Sequence, residues 1–129
     1  MNCRGLGDFQ KLKDVFHYLR SKRKSIYCLQ DTHFTKEQTV KIRSVWGNDI
    51  IMSPGRSNSR GSIILFNDNF EYNILKFKTD LEGNMVATEI KLQNTYTLTL
   101  INIYGPNHDS PEFYRTITLN RNIRLFIVL

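Results

Sequence analysis

No stretch of this sequence is apolar for anything near the ~18 residues that a membrane-spanning helix needs. Residues 1–7 show no apolar segment behind Arg4 of the kind a secretory leader requires. Cysteine is scarce: Cys3 and Cys28 are too few for a disulfide framework, and their spacing fits no zinc site. Proline occurs three times and glycine seven, which excludes collagen-like and low-complexity chains. Against these shortages stand 40% hydrophobic and 12% aromatic residues, enough to exclude wholesale disorder. A length of 129 residues corresponds to one domain, and neither a repeat nor a linker divides it. A soluble, reduced, intracellular chain with no membrane association is the expectation.

Acidic residues are also in deficit, 12 against 18 lysines and arginines, and the deficit is uneven. Residues 1–64 hold 12 basic and 5 acidic side chains, whereas residues 65–129 hold 6 and 7. A basic half favours polyanions such as nucleic acid, through phosphate neutralisation and counterion release. Arg20, Lys22, Arg23 and Lys24 have a simpler explanation when taken alone. They fall at an expected helix end, where cations complement the helix dipole and stay solvated.

The hydrophobic period changes along the chain. Phe9, Leu12, Val15, Phe16 and Leu19 recur at three- and four-residue steps and predict an amphipathic helix over 9–22. Ile26 to Leu29 reads as a strand buried on both faces. Thr35 with Gln38 is a capping-box pair that opens a second helix reaching Trp46, stopped by Gly47 and Asn48. From there the period is two: strands over 49–53, 62–66, 72–78 (with a bulge at Ile74-Leu75), 86–92 and 98–104, then 124–129. Pro54 to Arg60 is a loop, and turns fall at Asn67–Asn69, Glu82–Asn84 and Asn94. A third helix over 110–122 is expected, with Pro111 at its first position. Short connections imply antiparallel neighbours, so the class is α/β with a mostly antiparallel or mixed sheet and flanking helices.

Four stretches put polar groups at strand ends, where loop-borne sites form. They are Asn2-Cys3-Arg4-Gly5-Leu6, Leu29-Gln30-Asp31-Thr32-His33, Ser59-Arg60-Gly61 and Ile101-Asn102-Ile103-Tyr104-Gly105-Pro106-Asn107. Asp31 is the most informative, because a carboxylate at the tip of an apolar strand needs solvent, a partner or a metal. Mg²⁺ typically takes one or two carboxylates and keeps several waters. Taken alone, however, Asp31 reads first as a residue capping the turn that follows. His17 reads as a helix-surface residue, His33 and His108 lie on loops, and no i, i+4 pair of metal-ligand type exists. Gly105-Pro106-Asn107 is ordinary turn chemistry, and no serine sits in a nucleophile elbow.

In this order and spacing the four stretches resemble the endonuclease/exonuclease/phosphatase superfamily, specifically the apurinic-endonuclease-like domain of LINE-type non-LTR retrotransposons. The matching motifs are Asn-x-x-Gly-Leu at residues 2–6, Leu-Gln-(Glu)-Thr-His at 29–33, Ser-Arg-Gly at 59–61 and Asn-Ile-Tyr-x-Pro-Asn at 102–107. The resemblance covers essentially the whole chain. It implies the N-terminal half of a four-layer, DNase I-like α/β sandwich. It implies Mg²⁺-dependent hydrolysis of DNA phosphodiesters, with Mn²⁺ as the alternative ion and no small-molecule cofactor. Asp31 would bind the metal, with Asn2 beside it. Tyr104 and Asn107 would contact the scissile phosphate, and His33 and Arg60 would lie near the DNA. In a retroelement the nick primes reverse transcription, so the partners implied are DNA and a reverse transcriptase domain in the full-length parent, and the implied site is the nucleus.

The sequence also departs from the pattern. Asp31 stands where the family carries Glu, so the carboxylate would retreat by roughly 1–1.5 Å, one carbon–carbon bond. The family's first strand is absent before Asn2, and its downstream Gly-Asp-(aromatic)-Asn and Ser-Asp-His motifs are not found. Residues 1–129 are therefore expected to form a partial domain without the first strand and the C-terminal half. Lacking a positioned base worth ~10²–10⁴-fold, it would be inactive alone and would expose an inner sheet face and edge strands. A non-catalytic nucleic-acid-binding module and a decayed retroelement relic are the other readings.

Overall fold

Helix α1 spans Phe9–Ser21 and starts where Asp8 accepts the Lys11 N–H at 2.7 Å. It buries Leu12, Phe16 and Leu19, the stripe that the periodicity predicts. The computed structural model describes residues 1–105 together with the strand at 125–128. The second helix opens as expected at Thr35, whose N–H is received by Gln38 Oε1 at 3.1 Å. It opens, however, with a 3₁₀ turn, Lys36–Gln38, before continuing as α2, Thr39–Trp46. Gly47 ends it at φ +83°, a left-handed cap that costs glycine nothing.

The strands form two sheets. In the first, β1 (Ile26–Gln30), β3 (Ser62–Phe66) and β2 (Ile50–Ser53) run antiparallel in the order β1-β3-β2. In the second, β4 (Tyr72–Thr79), β5 (Met85–Leu92) and β6 (Tyr96–Ile103) form an antiparallel meander, and β7 (Leu125–Val128) joins β6 in parallel. The expected bulge lies between Ile74 and Lys76. The helix expected over 110–122 falls outside the described residues.

Alternation explains the layering. Leu29, Ile50, Met52, Ile63 and Leu65 pack under the helices with Leu12, Phe16, Ile42 and Trp46. The intervening Ile51, Ile64 and Phe66 face Val86, Ile90 and Leu100 of the second sheet. A sheet covered on both faces needs continuous apolar runs, which is why Ile26–Leu29 and Ile63–Phe66 show no alternation. Among the described residues this gives helices on one sheet and that sheet on another: a partial α/β sandwich, as expected. Each large side chain so buried contributes on the order of 1.5–3 kcal/mol.

Two expectations change. Among the described residues the inner sheet faces are covered, since Ile64, Phe66, Val86 and Ile90 are all at 0% exposure between the sheets. Most of the exposed large apolar side chains in the strands lie along β4, at Leu75 and Phe77, with Tyr96 at the start of β6. The basic cluster at the end of α1 is also partly structural. The Arg20 guanidinium lies 5.0 Å from the Trp46 ring centroid and donates to the Val45 carbonyl at 3.1 Å.

Candidate active site

The site is built where β1 ends. Residues 1–6 run beside it: Cys3 N–H meets the Gln30 carbonyl at 2.8 Å, Gly5 N–H that of Asp31 at 2.8 Å and Leu6 N–H that of Thr32 at 2.7 Å. On the other side Thr32 N–H donates to Gly61 O at 3.1 Å and His33 N–H to Arg60 O at 2.8 Å. Two Arg-Gly pairs thus grip the Asp31-Thr32-His33 turn, Arg4-Gly5 and Arg60-Gly61. All four of their residues have positive φ (48°, 89°, 65° and 96°).

The gripped turn is strained as well. Asp31 and His33 hold φ +55° and +59° on either side of a fully buried Thr32. Such conformations cost on the order of 1–3 kcal/mol for residues other than glycine and cluster at functional sites. The geometric result is that Asp31 Oδ1 and His33 Nε2 meet at 2.8 Å, with side chains 15% and 20% exposed. The Asp31 carboxylate therefore does not cap the turn, as its sequence position first suggested; its partner is an imidazole two residues on. The His33 ring packs against Gly5, where a Cβ would stand 2.7 Å from Nδ1.

Two further glycine-bearing segments, at Gly55 and Gly83, lock the base of this turn. A Cβ on Gly83 would lie 2.6 Å from Gly61 N and 2.8 Å from Gly55 Cα. Gly61 N–H donates to Gly83 O at 2.9 Å, Ser62 Oγ to the same oxygen at 3.0 Å and Gly55 N–H to Phe34 O at 2.7 Å. The hairpin between β4 and β5 is held in turn by Asp80, whose carboxylate receives Ser53 Oγ and the N–H groups of Asn84 and Met85.

The sheets are joined behind the site by a buried amide pair. Asn102, at 0% exposure, accepts from Gln30 Nε2 at 2.9 Å and donates to Leu29 O and Ile63 O at 2.9 and 2.8 Å. Gln30 precedes Asp31 and Asn102 lies two residues before Tyr104, so both sequence motifs reach the same end of the sandwich.

Of the residues singled out from the sequence, Asp31, His33 and the Arg60 backbone are thus brought into direct contact. Asn2 pairs through its backbone with Gln30, but its side chain accepts the Arg4 N–H at 3.1 Å and does not reach Asp31. Tyr104 is half-buried and its N–H is held by Asn84 O at 2.7 Å. The Arg60 guanidinium binds Glu82 at 2.6 Å. Asn107, His108 and Asp109 lie outside the described residues. Gln30, Asn102, Asp80 and Gly83 were missed as site-building residues. For Asn102 a signal existed: it occupies an inward position in phase with Leu98 and Leu100, where an amide needs partners.

Among the described residues no three His, Cys, Asp or Glu side chains converge on one point. A protein-only metal cage does not fit. One carboxylate with an oxygen that takes no hydrogen bond among the described residues does fit a hard cation completed by water and substrate oxygens. Burial pushes the Cys3 and Cys28 thiols up to about 11, away from the thiolate form.

No protein-family model matches the sequence. It is 24% identical over 106 residues to the Transposon TX1 uncharacterized 149 kDa protein of Xenopus laevis, covering 82% of this chain and 8% of that protein. Several solved structures share the fold. The human Nocturnin catalytic domain with bound sulfate superposes with a TM-score of 0.62 at 14% identity, covering 98% of this chain and 60% of its own. A mannosyl-6-phosphatase of Bacteroides thetaiotaomicron gives 0.60 at 10% identity, covering 92% and 55%. The endonuclease domain of TRAS1, a telomere-specific non-LTR retrotransposon, gives 0.57 at 13% identity, covering 98% and 54%. The chain spans just over half the length of these structures and a small part of the transposon protein. The chain has the α/β-sandwich fold that these structures share, and it is similar in sequence to a transposon-encoded protein.

Proposed function

We propose that this domain is part of a Mg²⁺-dependent endonuclease that nicks DNA at the target site of a retrotransposon, with Mn²⁺ able to replace Mg²⁺. The observation that carries the reading is the Asp31–His33 pair on its doubly left-handed turn, held between Arg4-Gly5 and Arg60-Gly61. Strain of that kind persists only where the surroundings over-determine it, and here it aims a carboxylate outward from a strand tip. Asp31 holds the cation and His33 fixes the carboxylate's orientation. When bound, the cation offsets charge on the phosphoryl oxygens. Asn2 stands beside the turn through its backbone pairing with Gln30, and Tyr104 and Asn107 bind the phosphate. Arg60 contacts the DNA backbone. The enzyme would work in the nucleus, joined in its parent protein to a reverse transcriptase domain.

The Nε2 of His33 is taken by Asp31 at 2.8 Å, which ties this imidazole to the carboxylate. We therefore infer that residues 1–129 cut DNA slowly without a further base. Nicking of supercoiled plasmid with Mg²⁺ and with EDTA tests the reading. Metal-dependent nicking that Asp31→Ala and Tyr104→Ala each reduce at least tenfold supports it. Nicking that survives Asp31→Ala overturns the assignment. Salt-sensitive DNA binding without nicking would favour the binding-module reading, to which the basic first half gives its support.

A further inference from the structure

The Arg60 guanidinium is not left to solvent beside the site. It meets Glu82 of the β4–β5 hairpin at 2.6 Å, with side chains 35% and 66% exposed. The two backbones are tied independently of that pair. Arg60 O holds His33 N–H at 2.8 Å, and the residues after each partner are joined by the Gly61 N–H to Gly83 O bond at 2.9 Å. The Arg60 backbone is therefore held at the flank of the Asp31–His33 turn whether or not Glu82 holds the guanidinium, which keeps that group within a side chain's length of the turn. A carboxylate and a phosphate present the same paired oxygens to that fork. An ion pair this exposed is weak enough to be exchanged.

The geometry points to Glu82 as a competitor for the phosphate subsite of Arg60: it occupies the guanidinium in the free protein and gives way to a DNA backbone phosphate. This rests on the proposal that the domain acts on DNA, and it names the residue that sets affinity on this flank. Glu82 repels the incoming phosphate and, once displaced, takes up a cation again. It should therefore lower both the affinity and the number of counterions released.

The test is binding of a short fluorescein-labelled duplex to the full chain in EDTA, followed by anisotropy over a series of salt concentrations. Glu82→Gln should tighten binding about two- to fivefold, the weight of an exposed ion pair, and steepen the salt dependence by as much as about 0.9 in the log–log slope. Arg60→Gln should weaken binding, and adding Glu82→Gln to it should change little. Equal tightening by Glu82→Gln with and without Arg60 overturns the proposal, because it would reflect net charge alone. So does unchanged or weaker binding by Glu82→Gln. If the wild-type chain binds DNA while Glu82→Gln has no effect, the competitor role fails and the DNA reading stands. If no variant binds DNA, both fail. Thermal melts of the variants should coincide with the wild type, since both side chains are at the surface.

Discussion

Replacing Asn102 should test whether the polar staple between the sheets stabilises the fold or is merely accommodated. Asn102→Leu keeps the branching and heavy-atom count of the side chain and removes three hydrogen bonds of 2.8–2.9 Å, to Gln30, Leu29 and Ile63, from a position at 0% exposure. Each such bond contributes about 0.5–1.5 kcal/mol net, and more where a buried partner is left without its donor. The added apolar burial offsets part of this. The expected loss is about 2–4 kcal/mol, a large share of the 5–15 kcal/mol typical of a domain. At about 4 °C per kcal/mol for a chain of this size, the midpoint should fall roughly 8–16 °C. The single tryptophan, Trp46, is fully buried with Nε1 donating to Phe66 O at 2.9 Å, so its fluorescence follows the transition. Asn102→Asp adds a sign test. It keeps the acceptor for Gln30 but sets a carboxylate against two carbonyl oxygens, which raises the folded-state pKa of that carboxyl. Its deficit relative to wild type should therefore grow as pH rises above the unfolded carboxyl value of about 4 and shrink below it. An Asn102→Leu protein within 0.5 kcal/mol of wild type, or an Asn102→Asp deficit independent of pH, would refute the reasoning.

Gly61→Ala should destabilise the chain by about 2–4 kcal/mol, because φ is +96° and the new methyl would collide with Thr32 Oγ1 and press on His33 N at 3.2 Å. Urea unfolding measures this, and a loss below 1 kcal/mol would show that the turn yields. The buried Cys3 and partly buried Cys28 thiols make stability fall in alkali. Their folded pKa lies at about 11 against an ordinary value of 9, so the unfolded state loses protons first and stability declines from about pH 9 to about pH 11. Chemical unfolding across that range should show the decline, and Cys3→Ala should reduce it. Native alkylation by iodoacetamide at pH 8 should correspondingly be slow at both cysteines, as mass spectrometry of intact protein would show.

The elements were legible because each rests on local chemistry. Leu12, Phe16 and Leu19 define one helical face, and Asp8, Thr35 and Gly47 mark boundaries through their own hydrogen bonds or backbone freedom. That residues 26–30 and 62–66 share one sheet and 72–103 another was less evident, because continuous apolar runs give no face and hence no partner. The site was legible only as four fragments. Sequence showed that a carboxylate and an imidazole end a buried strand. It did not show that both adopt left-handed backbone, and so face each other, because that conformation is imposed from outside the segment.

The backbone groups that hold the turn come from Gly5, Leu6, Arg60 and Gly61, each at least 25 residues away in the chain. A local reading of Asp31 can weigh only the bonds its own neighbours offer, which is why turn capping looked sufficient. Once Thr32 and His33 donate to the Gly61 and Arg60 carbonyls, their N–H groups are no longer available to a capping carboxylate. The Asp31 oxygens must then find another partner. Long-range backbone pairing thus converts an Asp that would cap a turn into one held by His33 and open on its other oxygen. The glycines at 5 and 61 belong to the same device, since side chains there would meet His33 and Thr32. Carboxylate, imidazole and the two glycines are a single arrangement, and changing any one should disturb the others before it disturbs either sheet.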